Sequence, residues 1–140
     1  AQIRDLKKVL RAEAIVYGRL PLMITENCLV QNETGCRLDR QGPCVPEDGP
    51  CRCGQPNVLV DRTGAAFPLL PAYGHRTEIQ NSKPLYLADR PEHRRLGLAY
   101  ARLRFTTETA EECVSVVQNY LDAAPAAGDF TRGLYERGVE

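Results

Sequence analysis

The sequence has no net charge, no long apolar run, no internal repeat and none of the common catalytic signatures. Eighteen Lys and Arg are balanced by eighteen Asp and Glu. That balance removes any global pull toward nucleic acid or an anionic membrane and leaves only local patches. A membrane-spanning helix needs about 20 apolar residues, and no run comes near that, so no membrane partner is expected. The first residues, AQIRDLKKVLRAE, are amphipathic and charged and lack the apolar centre of a secretory leader. A cytoplasmic location is therefore expected. Ser-His-Asp order, HExxH, a P-loop and GxGxxG are all missing, so the catalytic residues stay unknown at this point.

What is present is ordinary globular composition. The 140 residues are 43% hydrophobic and 26% charged, enough for one domain with a core. Residues 2–11 place Ile3, Leu6, Val9 and Leu10 on one helical face. AIVYG, from Ala14, reads as a buried strand stopped by Gly18. A helix feeding such a strand points to α/β or α+β architecture. Pro21 excludes a regular central strand over the next segment. NVLVDRTGAAFPLL reads as a hairpin, with Val58–Val60 and Ala65–Leu70 as strands, DRTG as turn, and Pro68 marking the second strand as an edge. The segment 57–88 continues as extended chain. Residues 89–124 read as helix, strand and helix: Pro91 opens a short helix to about 96, and YARLRF alternates, with Ala101, Leu103 and Phe105 on one side. The last helix spans about 109–122. Thr109 and Glu112 form its capping box, and Ala110, Cys113, Val114, Val117, Tyr120 and Leu121 form its apolar face. The Ala/Gly-rich stretch 125–140 reads as a loose tail.

Between them, residues 31–56 hold four glycines, four prolines and no periodicity, a loop long enough to need support. Five of the six cysteines fall at Cys28, Cys36, Cys44, Cys51 and Cys53. In a reducing compartment, clustered thiols more often bind metal than form disulfides. Zinc and iron–sulfur clusters each take four thiolates, so at most four of these five would be ligands. Unligated thiols and disulfides are the other readings. Cys113 reads as a buried structural thiol. Arg19, directly after a strand, is a candidate anion- or substrate-binding group. His75 is a weaker substrate-binding candidate, and His93 reads as a solvated helix residue. Glu26 and Glu108 follow extended segments; each could be a general acid or base, with surface or capping roles as the alternative.

At VYGRLPLMITENCLV, DRTGAAFPLLPAYGHRTEIQNSKPLYLAD, RLRFTTETAEE and FTRGLYERG the chain resembles the U32 peptidase family, the collagenase-like proteases. The resemblance covers nearly the whole chain and places it in the later part of a family member, with the N-terminal barrel portion missing. It implies the last strand–helix elements of a (β/α) barrel-like fold, carrying an inserted Cys-rich loop (27–56) and a small β-hairpin. It implies a peptidase acting on a peptide or protein substrate, inactive as this fragment alone. Other members work with an iron–sulfur cluster in hydroxylating RNA bases or a quinone precursor. The family pattern has G-x-x-C and then three further cysteines. Gly18 fits its glycine, but Pro21 stands where its first cysteine would be. Cys28 and Cys44 fit the second and third, and Cys51 arrives late for the fourth. A non-catalytic, metal-stabilised binding module is the remaining reading.

Overall fold

A computed structural model describes residues 11–34, 52, 55–90, 95 and 97–133. The architecture is α+β. The expected helix over 2–11 lies outside the described residues except for Arg11, as do most of residues 91–96. Contacts divide the chain into two units, one from Ala1–Arg19 with Lys83–Glu140, the other from Leu20–Ser82.

Among the described residues the first unit has a three-stranded sheet and a helix packed on it. Strand β1 (Glu13–Gly18) is its middle strand. It pairs antiparallel with β6 (Leu85–Tyr86) and parallel with β7 (Tyr100–Leu103). Arg102 on β7 reaches across to Glu13 at 2.8 Å. Helix α2 (Ala110–Asp122) follows β7, and its Thr109–Glu112 capping box is formed. Val16, Leu85, Leu87 and Ala88 are buried here beside Tyr17 and Tyr86, and rings make up much of the packing. Tyr17, Tyr86 and Ala88 form the centre, with Leu103, Phe105, Val116, Tyr120, Ala126 and Phe130 against it. Ring centroids lie 5.5 Å apart for Tyr17–Phe105 and Tyr86–Tyr120, and 6.0 Å for Tyr86–Phe130. Such pairs contribute about 1 kcal/mol each beyond their buried area.

The helix uses only part of the face its periodicity suggests. Val114, Val117 and Leu121 are exposed at 70%, 42% and 69%, and Cys113 is half-buried rather than buried. Of that face Tyr120 makes the core contact, joined by Val116 from outside it. The reason is polar as well as apolar. The Tyr120 hydroxyl donates to the Val16 carbonyl and accepts from the Leu87 N–H at 2.8 Å, which fixes the helix's rotation about its axis. Likewise, of the alternating residues over 100–105, Leu103 on β7 and Phe105 just after it pack inward while Ala101 stays exposed.

Residues 124–133 are held rather than loose. The Tyr86 hydroxyl donates to the Ala124 carbonyl at 2.9 Å, and Thr131 bridges Leu85 in parallel register. Arg132 forms a two-pronged pair with Asp89, at 2.6 and 2.7 Å, and also donates to the Tyr86 carbonyl. That guanidinium is the main reason the Asp89 carboxyl is held below its usual range.

The second unit is an antiparallel sheet of β2 (Pro21–Thr25), β5 (Arg76–Gln80), β4 (Ala66–Ala72) and β3 (Asn57–Val60), in that order. Pro21 opens β2, which is an edge strand. Pro68 was expected to mark an edge, yet β4 is an inner strand. The stagger of the ladders resolves this. Residues Ala66–Leu69 pair with β3, and Leu69–Ala72 pair with β5. Pro68 and Pro71 therefore each face a single registered neighbour, and only Leu69 lies in both ladders. In the β3–β4 turn the Asp61 carboxylate accepts from the Thr63 N–H and hydroxyl, both at 2.7 Å, and from the Ala65 N–H at 3.0 Å. Those bonds hold Asp61 below its ordinary range. The expected loop over 31–56 begins later than its composition implies, because a short helix α1 spans Leu29–Thr34. Thr77 Oγ1 accepts the Leu29 N–H at 3.0 Å and so seats that helix on β5.

Candidate functional site

The carboxyl end of β1 is where the first unit opens. Gly18 has φ 117, and a Cβ placed there would lie 2.0 Å from the Arg104 carbonyl oxygen. Only glycine lets the two chains approach so closely. The contact is closed by the Arg104 N–H donating to the Tyr17 carbonyl at 2.9 Å, and by the Arg104 guanidinium donating to the Arg19 carbonyl at 3.0 Å. The loop after β7 is thereby locked beside Tyr17 and Arg19.

That loop carries Glu108. One of its oxygens accepts the Tyr17 hydroxyl at 3.2 Å; the other accepts the Thr106 and Thr107 N–H groups at 2.7 and 3.0 Å. Arg19 Nε donates to Thr107 Oγ1 at 3.3 Å. Burial, then the Glu108 charge, pushes the Tyr17 phenol well above its usual range. Around these groups lies a cavity of about 470 Å³, whose wall also includes Tyr86, Glu112, Asn119, Asp129 and Phe130. Asp129 pairs with Lys83 at 2.8 Å. Its size and its mix of ring surface with polar groups suit a small ligand or a single side chain.

Arg19 therefore stands in a cavity wall, at a strand's carboxyl end. Glu108 stands in the same wall, with three hydrogen bonds that make it a positioning group for Tyr17 and the 106–107 backbone. Tyr17, Tyr86 and Phe130 are not singled out in the sequence; they fall in the AIVYG strand, the extended segment 57–88 and the tail 125–140. The signal for Tyr17 is its place just before the glycine that ends β1.

The other candidates belong to the second unit. His75 lies in the turn between β4 and β5, at φ 58 after Gly74 at φ 74. Glu26 pairs with Arg76 at 3.0 Å on the surface. Cys28 is 5% exposed and packs with Val30 and Leu69. Cys36, Cys44, Cys51, Cys53 and His93 lie outside the described residues. Among the described residues no group of three or more His, Cys, Asp or Glu side chains is placed to hold a metal, and no helix is long and apolar enough to cross a membrane. A cluster needs four donors, and the described residues contain one of the five candidates.

Comparisons with family models, curated proteins and solved structures return no match.

Proposed function

We propose that the chain is part of a peptidase of the U32 (collagenase-like) kind, and that its own contribution is to bind the peptide substrate in the cavity at the end of β1. The observation that carries this is the cavity itself. It brings Arg19, Glu108 and three aromatic rings around about 470 Å³. Arginine suits a peptide's carbonyl or carboxylate oxygens, and the carboxylates suit its N–H groups. Support for the family comes from the sequence motifs around Gly18, residues 61–89 and residues 102–112. On this reading the parallel β1–β7 pair and the helix after β7 supply strand–helix elements of a barrel-like fold, and the missing barrel portion supplies the rest of the active-site face. The hydrolytic groups are not assigned to this chain's residues.

The test is cleavage of a collagen-derived and general peptide library by the full-length protein, read by mass spectrometry. Cleavage is expected, and Arg19→Ala should raise KM by roughly tenfold with kcat little changed. No cleavage across the library by metal-replete protein would sink the peptidase reading.

The five cysteines over residues 28–53 favour a second reading, an iron–sulfur protein assisting hydroxylation of an RNA base or quinone precursor. Such a group would supply electron-transfer chemistry; Cys28 and Cys44 would be its first ligands, with Cys36, Cys51 or Cys53 completing the set. Elemental analysis after anaerobic purification separates iron with labile sulfide, zinc, and neither. Zinc without turnover would favour a non-catalytic binding module.

A further inference from the structure

We propose that the first-unit cavity receives an alkylammonium group, the basic side chain or the free amino terminus of a peptide. This rests on the substrate-binding reading above and narrows it to a class of ligand.

Two independent features of the wall point the same way. Phe130, half-buried, offers ring surface, which takes up both the methylenes and the charge of an organic cation, and the Arg132 guanidinium already lies 4.6 Å from its centroid; Tyr17 and Tyr86, each 6% exposed, add little free surface. Glu108, Glu112 and Asp129 supply three carboxylates against the guanidinium of Arg19 and the Lys83 ammonium that pairs with Asp129. An anionic guest would meet more like charge than opposite charge, whereas an ammonium meets acceptors.

The carboxylates keep capacity for such a guest. An ionised carboxylate offers about four lone-pair positions. Glu108 uses three in the bonds to Tyr17, Thr106 and Thr107. Glu112 accepts the Thr109 N–H at 2.8 Å through one oxygen, and Asp129 meets Lys83 through one oxygen. The balance of local charge is legible at the Tyr17 phenol. Burial is the largest cause of its upward shift; after it, the Glu108 charge raises the pKa more than Arg19 lowers it, and Glu112 raises it further. The guest thus enters a field already negative at the strand end, and Arg19 remains placed to hold a neighbouring carbonyl.

The experiment is a titration of the isotope-labelled 140-residue chain, followed by NMR, with three small probes. Nα-acetyl-lysinamide carries only a side-chain ammonium, leucinamide only a terminal one, and Nα-acetyl-norleucinamide neither. At least one ammonium probe should shift the amides of Tyr17, Glu108 and Asn119 saturably, while the neutral probe does not. Which probe binds says whether side chain or terminus is the ligand. Glu108→Gln and Asp129→Asn should each weaken binding on the order of tenfold. Asp129→Asn keeps the test valid should Glu108→Gln disturb the loop. Equal binding of the neutral probe, or no shift with either ammonium, overturns the assignment. Ammonium binding without peptide cleavage would support the assignment and remove the peptidase reading. Cleavage indifferent to charge would do the reverse.

Discussion

Gly18 is the residue on which the geometry of the candidate site turns. Its φ of 117 lies where side chains are strained, and the Arg104 carbonyl stands 2.0 Å from where a Cβ would sit. Neither partner can yield cheaply, because both sides of the contact are backbone. Gly18→Ala should therefore cost about 3 kcal/mol, read as a lower urea midpoint with an unchanged slope. It should also loosen the 104–108 loop, so that the Tyr17–Glu108 hydrogen bond is lost along with the stability. In the sequence, Gly18 reads as a strand stop and, by resemblance, as the glycine of a G-x-x-C pattern. Its tighter role depends on a residue 86 positions away, which no local pattern encodes. Arg19, by contrast, could be picked out in advance, because its place after a buried strand is a local fact.

At the scale of elements, local chemistry was readable and tertiary choice was not. The helix start at Thr109 follows from side-chain hydrogen bonding within one turn: Thr109 Oγ1 accepts the Glu112 N–H at 3.3 Å, and Glu112 accepts the Thr109 N–H at 2.8 Å. Thr109→Ala should cost about 1 kcal/mol, seen as a lower Tm and loss of protection in the first turn of α2 by hydrogen exchange. Periodicity also gave the helix its length. It placed Tyr120 in the helix's buried face but left out Val116, because Tyr120 docks by its hydroxyl as well as its ring and so turns Val116 to the core. The prolines of β4 misled for a related reason. A proline excludes a ladder hydrogen bond, but whether its strand is inner or outer depends on how two ladders overlap. Here they share only Leu69. The tail reads as loose from its alanines and glycines, yet Phe130 and Arg132 anchor it to Tyr86 and Asp89. Ala124, Asp129 and Thr131 add to that hold, and such scattered contacts leave no periodic mark.

For the whole molecule, the distribution of tyrosines gives the two units different responses to alkali. Tyr17, Tyr86 and Tyr120 all belong to the first unit, and all three are raised above the ordinary phenol value, chiefly by burial. Tyr120 is pushed up to about 12. A phenol with a raised folded pKa holds its proton more tightly in the folded chain than in the unfolded one. Its contribution is complete below the unfolded value, about pH 10, and is lost as the pH rises through the folded value. Ionisation of Tyr120 would remove its donation to the Val16 carbonyl and leave a charge among rings; ionisation of Tyr17 would set a phenolate against Glu108. The core of the second unit is made instead from Cys28, Val30 and Leu69 with Leu29 and Ile79. Raising the pH from about 10 toward 12 should therefore unfold the first unit while the second unit's core persists longer. Tyrosinate absorbance followed together with methyl NMR signals of Val116 and Leu69 would show it, the Val116 signal shifting with the absorbance change and the Leu69 signal at higher pH. Replacing Tyr120 by Phe should remove part of the steepness, because one of the three linked protons is gone. A single coincident transition for both methyl groups would mean that the two units unfold as one cooperative body, with the tyrosines of the first setting the alkaline limit for the whole chain.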